Sequence, residues 1–236
     1  LPRPGSLTIM PAMSTFPIAV IAAVSTLLPI SILAAKGRLE RNALGWLLLA
    51  AAVVGGLAPA LYELHGGWRT GLASSLHVTA AACMIVFAAS AVLNAATLRL
   101  AALVGPYVLL LILLGAVAFV MQTEPPLAAP PGAWFAGHVL LAIGAYAALT
   151  LAAIAACGVL LLERAFKARV ESWAPRVLPP LSETEGLQNA LLKLAAILLL
   201  LALATGAANE LLLEGQPLAF THKILLSFLG FAVVLI

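Results

Sequence analysis

The chain has 236 residues, of which 64% are hydrophobic and only 9% are charged. Soluble domains carry roughly 25% charged residues, so this composition excludes a water-soluble globular enzyme and predicts a protein that faces lipid. The net charge is +3, and the basic residues are distributed over short connections, which excludes a nucleic-acid-binding patch. The sequence contains no Asp, so it offers few candidate carboxylates for a magnesium site or for a hydrolase.

Long apolar runs recur along the whole chain, and a helix needs about 20 apolar residues to cross the hydrocarbon. The sequence predicts spans at 16–35, 42–61, 71–93, 100–120, 134–162 and 187–213, with a seventh that opens near Phe220. The last run is still apolar at Ile236, so we expect one further span beyond it. The expected fold is an all-α, polytopic transmembrane helical bundle in which residues 1–236 form a single integral membrane domain.

Basic residues are distributed unequally between the two sides of this predicted bundle. Eight lie in the connections that follow spans one, three and five, whereas Arg3, Arg69 and Lys223 lie on the other side. The positive-inside rule therefore places the first group in the cytoplasm and the N-terminus outside. The eight are Lys36, Arg38, Arg41, Arg99, Arg164, Lys167, Arg169 and Arg176.

Two connections have a recognisable local signal. Ser182 and Glu185 have the S-x-x-E spacing of a capping box, which predicts a short interfacial helix leading into the sixth span. Four prolines between 122 and 132 predict an extended, stiff outer segment.

No catalytic arrangement is recognisable in the sequence. Cys83 and Cys157 each lie deep within an apolar run and do not form a CxxC pair, so we expect two buried thiols rather than a redox or zinc site. This favours a non-enzymatic protein, although it leaves the question of an enzyme open.

All four histidines fall toward the predicted outer side: His65, His77, His138 and His222. Imidazole is a standard axial ligand of haem iron, and two histidines from different helices can hold one haem between them. Because the inner half contains no histidine, a cytochrome with haems stacked across the bilayer is disfavoured. The alternative is that these histidines are amphipathic residues at the membrane interface and bind no cofactor.

Four polar residues lie near the same predicted side. Asn209 and Glu210 close the sixth span, where they are either solvated residues of a helix end or hydrogen-bond partners of a ligating imidazole. Arg69 and Lys223 are candidates to pair with haem propionates. Any iron would then be held through haem alone.

From about Trp134 onward the chain resembles the cytochrome c assembly protein family of haem-handling membrane proteins, and the likeness is strongest over 134–236. The matching segments include the run containing His138, "GHVLLAIGAYAALTLAAIAACGVLLLERAFK", and the run from His222, "HKILLSFLGFAVVLI". Between them lie "LPPLSETEGLQNALLKL" and "LALATGAANE". The chain is most similar to the inner-membrane relatives that lack the tryptophan-rich haem-presenting signature, since 211–221 contains no Trp.

This resemblance implies a function in cytochrome c biogenesis in a bacterial inner membrane. It implies a non-covalent b-type haem held near the outer face by His138 and, second, by His222. His77 and His65 are weaker candidates by their position alone, and the resemblance assigns no role to His65. The implied partners are other cytochrome c assembly membrane proteins or apocytochrome c, besides the lipid bilayer. Two alternatives stay open: a transporter of a small amphipathic molecule, and a ligand-free membrane scaffold or assembly subunit.

Overall fold

The computed structural model describes residues 10–65, 67, 69, 71–121, 132–169, 172–209 and 229–232, and this part of the chain contains helices and no strand. A 3₁₀ turn, Ala95–Leu100, leads directly into the fourth helix, and residues 229–232 are also helical. The helices are α1 Met10–Ala35, α2 Ala43–His65, α3 Leu72–Leu93, α4 Ala101–Met121, α5 Ala133–Ala168, α6 Trp173–Val177 and α7 Leu181–Asn209.

Six of these helices are long and apolar enough to cross a membrane, namely all except the short α6. The predicted all-α polytopic bundle is confirmed by them. Seven spans were expected, and the described residues contain six. The region predicted to form the seventh, from Phe220 onward, lies outside the described residues except for the helical residues 229–232.

The helices form a four-helix group with a helix pair attached to it. α1 packs against α2 and α4, and α3 packs against the same two helices, so α1 to α4 close around a common core. α5 and α7 pack closely on each other, and α3 joins this pair to the group. Leu27, Val108 and Leu151 are buried inside, whereas large apolar side chains such as Ile21 and Val54 face outward, as expected for helices surrounded by lipid.

Several helices extend beyond their predicted bounds, among them α5 and α7. α5 has 36 residues and is therefore about 54 Å long, so its last turns extend beyond the roughly 30 Å of hydrocarbon. α7 begins at Leu181, which makes the predicted lead-in continuous with the span. The capping-box prediction is wrong, because Ser182 already lies inside the first turn and the carbonyl of Pro180 accepts the N–H groups of Glu183 and Thr184.

The two cysteines occupy different environments. Cys83 is fully buried, as predicted, on the face of α3 that packs into the four-helix group. Cys157 is exposed, so the prediction that both thiols are buried is wrong for this residue. The apolar run predicts the span but not which of its faces points toward lipid, and Cys157 lies on the outer face of α5.

Candidate functional site

Three of the four histidines gather at one end of the bundle. α1, α3 and α5 begin at this end, while α2, α4 and α7 finish there. His65 is the last residue of α2, and His77 and His138 lie in the second turns of α3 and α5. We call this the histidine end. His222 lies outside the described residues.

His138 is held against α7 by a hydrogen bond from its ring. Its Nδ1 lies 2.9 Å from the carbonyl oxygen of Ala202 and 3.2 Å from the Thr205 hydroxyl. Gly206 permits this approach, because a Cβ at that position would lie only 3.0 Å from His138 Cε1. The half-buried ring therefore rests on the backbone of α7.

The partner of Nδ1 decides the chemistry of this imidazole. A carbonyl oxygen only accepts hydrogen bonds, so Nδ1 carries the proton and donates it to Ala202. In the neutral ring the lone pair then resides on Nε2, for which the described residues supply no hydrogen-bond partner. A ligating histidine ordinarily donates its second ring N–H to a carbonyl in this way, which fixes the tautomer and raises the basicity of the other nitrogen.

Aromatic side chains support the first turns of α5 beside His138. The indole N–H of Trp134 donates to the carbonyl of Thr205 at 3.2 Å, which is a second link between α5 and α7. The Phe135 ring lies with its centroid 6.5 Å from that of His138. Both aromatic side chains are about half exposed, so they offer apolar surface close to the imidazole.

His77 belongs to a different, fully buried group. The His77 side chain has no exposed surface, and Nδ1 is hydrogen-bonded to Oε1 of Glu63. The other carboxylate oxygen, Oε2, accepts a hydrogen bond from Ser74. On the far side of the ring, Nε2 lies 3.2 Å from the carbonyl of Ile112 in α4. This triad of Glu63, His77 and Ser74 links α2, α3 and α4.

The hydrogen bonds of the triad indicate how many protons Glu63 and His77 hold together. Nε2 of His77 must donate to the Ile112 carbonyl, so it carries a proton. A second proton is shared between Nδ1 and Glu63, which gives either an imidazolium with a carboxylate or a neutral imidazole with a carboxylic acid. Both forms have no net charge, which avoids the cost of burying a lone ion. Since both ring nitrogens are engaged, ligation of iron by His77 would require one of these contacts to break.

A pair of stacked aromatic rings packs against one side of the triad at the histidine end. Phe16 stacks on Phe119 with their ring centroids 3.8 Å apart, and it also lies 5.8 Å from the His77 ring. Gly115 leaves room for the imidazole, because a Cβ there would come within 2.5 Å of Nε2. The His77 ring is thus fixed by packing as well as by hydrogen bonds.

Glu63 is not among the predicted site residues, because the predicted second span ends at residue 61. α2 continues to His65, and Glu63 is only 3% exposed. A signal was present in the spacing: the buried face of α2 includes Leu49, Ala52, Gly56 and Pro59, and Glu63 falls next on the same 3–4 pattern.

A cavity of about 260 Å³ opens between the triad and α5. Glu63 and Ser74 lie on one side of it, and the apolar side chains of Phe135 and Val139 lie on the other. Arg69, a predicted propionate partner, also lines this cavity and is half-exposed. The remaining lining residues are Leu64, Gly67, Ser75, Val78, Leu140 and Ile143.

The structure brings only some of the predicted site residues into one place. His65 is exposed at the end of α2, and His77 and His138 lie at different helix interfaces and share no hydrogen-bond partner among the described residues. Glu210, Lys223 and the side chain of Asn209 lie outside the described residues, as His222 does. Among the described residues there is no group of three metal-ligating side chains.

Comparison with known proteins identifies one relative across nearly the whole chain. The sequence is 37% identical over 225 residues to a protein of Azospirillum brasilense named "Uncharacterized 28.8 kDa protein in nifR3-like 5'region". The match covers 91% of this chain and 81% of that protein. No model of a protein family matches the chain, and no solved structure matches it.

Proposed function

The chain belongs to the same family as the 28.8 kDa protein of Azospirillum brasilense, and we propose that it is a haem-binding or haem-transfer membrane protein of cytochrome c biogenesis. The name of that relative states no activity. Support for the proposal comes from the resemblance of residues 134–236 to cytochrome c assembly proteins and from the geometry of His138.

The hydrogen bond from His138 Nδ1 to the Ala202 carbonyl is the observation that carries the proposal. It fixes the tautomer in which Nε2 has an available lone pair, and this is the form that binds haem iron. Thr205 and Gly206 hold the ring in place by a hydrogen bond and by close backbone approach. These contacts hold the imidazole in one orientation, so little rotational freedom is lost when iron binds.

The second axial ligand in this proposal is His222. Arg69 and Lys223 are the proposed partners of the propionates, and Asn209 and Glu210 are proposed to line the site. The histidine end faces the outside of a bacterial inner membrane, with the N-terminus on that side. Bound b-type haem would supply a redox-active iron for delivery to apocytochrome c or to another assembly protein.

A second candidate function is the transport of a small amphipathic molecule. The observation that favours it is the buried triad beside an apolar cavity, because ionisable side chains inside a membrane commonly mark a substrate or proton pathway. In that case the purified protein binds no haem, and Glu63→Gln stops transport.

The experiment that tests haem binding compares two histidine variants. Full-length protein is expressed with haem supplied and purified in mild detergent, and haem is quantified as the pyridine haemochrome. We expect close to one haem per chain in the wild type, loss of haem in His138→Ala and retention in the matched control His65→Ala, because His65 is exposed at a helix end. Equal haem content in the wild type and both variants would contradict the assignment of His138.

A further inference from the structure

A second cavity lies at the end of the bundle opposite the histidines. Its volume is about 520 Å³, and it is formed by the end of α1, the connection to α2, and α6 with the residue before it. We call it the basic pocket. Its lining residues are Ala35, Lys36, Arg38, Ser172, Trp173, Arg176 and Val177.

The charged residues among the described lining of the basic pocket are all positive. It contains Lys36, Arg38 and Arg176, and no acidic residue is among the residues that line it. Lys36 and Arg38 are exposed, and neither forms an ion pair within the described part of the chain. Within the described residues, therefore, no carboxylate is paired with Lys36 or Arg38.

The charges of Lys36 and Arg38 are not needed to satisfy the carbonyl groups at the end of α1. The last carbonyls of a helix lack partners within it and can attract cations, but here they are already occupied. Backbone N–H groups of residues 36–38 donate to the carbonyls of residues 32–34, with Gly37 in the left-handed region at φ 66°. The indole N–H of Trp173 donates to the carbonyl of Ala35 at 2.8 Å. Lys36 and Arg38 are thus available to bind an anion.

A hydroxyl group without a partner also lines the pocket. Oγ of Ser172 is buried, and the described residues give it no hydrogen-bond partner. Buried polar atoms are nearly always hydrogen-bonded in folded proteins. The hydroxyl can donate a hydrogen bond, as can the neighbouring cations, so the described lining residues combine several donors and include no carboxylate.

The position of the pocket fits the depth of lipid headgroups. The apolar run of α1 ends at Ala35, and Trp173 is 43% exposed beside it, in the manner of an aromatic residue at a membrane interface. Arg99 fixes α6 at this level through hydrogen bonds to the carbonyls of Arg176 and Val177, at 2.7 and 3.1 Å.

We propose that the basic pocket binds a phosphate group, supplied either by the headgroup of an acidic phospholipid or by a soluble phosphate compound. A phosphate presents several anionic oxygens that can accept from guanidinium, ammonium and hydroxyl donors together. Basic pockets between helices on the cytoplasmic side of membrane proteins bind anionic headgroups by this chemistry. The pocket lies at the opposite end of the bundle from His138, so this proposal does not rest on haem binding.

The test is a binding titration of the full-length protein in uncharged detergent. Phosphatidylglycerol, phosphatidylcholine and inorganic phosphate are added separately, and binding is followed by native mass spectrometry and by the shift in thermal unfolding. We expect saturable binding of phosphatidylglycerol or of inorganic phosphate, and none of phosphatidylcholine. Binding of phosphatidylglycerol alone identifies a lipid headgroup as the source, whereas binding of inorganic phosphate identifies a soluble compound.

Matched variants separate the pocket from general surface charge. The double variant Lys36→Gln/Arg38→Gln is expected to bind about 25-fold more weakly, from about fivefold for each cation near a membrane surface. The control, Arg164→Gln/Lys167→Gln, removes the same charge from α5 outside the lining residues and should retain the wild-type affinity. Equal loss in both double variants would overturn the proposal, as would the absence of selective binding by the wild type.

Ser172→Ala keeps every charge and provides a test should the double variant fail to fold. Loss of one hydrogen bond to a charged group is expected to weaken binding about tenfold. Unchanged affinity in this variant would show that the Ser172 hydroxyl does not contact the ligand and would contradict the proposed site.

Discussion

The buried contact between Glu63 and His77 predicts a large and non-additive loss of stability when either side chain is replaced. The two residues are 3% and 0% exposed, so neither can be solvated in place once its partner is removed. We consider Glu63→Leu, His77→Leu and the double variant, since leucine avoids leaving a large cavity.

The expected magnitudes follow from the hydrogen bonds of each residue. Glu63→Leu leaves Nδ1 of His77 and the hydroxyl of Ser74 without their hydrogen-bond partner, while His77→Leu leaves Glu63 with Ser74 alone and the Ile112 carbonyl without a donor. Breaking a buried pair from one side costs about 3–5 kcal/mol. The double variant removes both ionisable groups, so its loss in unfolding free energy should be smaller than the sum of the single losses by about 2 kcal/mol or more.

The assay is reversible unfolding of the full-length protein in mixed micelles, with helix content followed by circular dichroism. The four proteins of the cycle give the coupling free energy directly. Single losses below about 1 kcal/mol, or a double loss equal to the sum of the singles, would refute the reasoning, because exposed or unpaired side chains behave in this way.

Three further outcomes are expected. Gly115→Ala should destabilise the protein by about 1–3 kcal/mol in the same unfolding assay, because its Cβ would come within 2.5 Å of His77 Nε2; an unchanged midpoint would contradict this packing. Gly206→Leu should lower haem content measured as the pyridine haemochrome, since its side chain displaces the His138 ring from α7, and wild-type content would argue against that placement. A membrane-permeant maleimide should label Cys157 and should not label the other cysteine, which is buried. Labelling of both thiols under native conditions would contradict this burial.

Span prediction from the sequence succeeds because it depends mainly on apolar length. The six described membrane helices all contain a run that the sequence marks clearly. The ends of the helices are less predictable. α5 continues through "ERAFKA" because charged residues are good helix formers outside lipid, and α7 begins at Leu181 because the Pro180 carbonyl satisfies its first N–H groups.

The candidate site was predictable by residue type and position but not by contact. The sequence indicates that His138 lies near a helix start, whereas the acceptor of its Nδ1 proton is a backbone carbonyl 64 residues away, and a backbone carbonyl has no sequence signature. Glu63 could have been found from the spacing of buried residues in α2, but its pairing with His77 depends on how α2 and α3 turn toward each other.

The central claim is that Nε2 of His138 binds haem iron, and the most direct measurement is the reduced absorption spectrum of His138→Gly with and without added imidazole. The small side chain leaves space where the ring rests against Gly206 and Ala202. We predict that the variant loses the sharp α and β bands of a histidine-ligated haem and that imidazole restores them. A wild-type spectrum in the untreated variant would contradict the claim, as would a wild-type protein that stays colourless after haem is supplied.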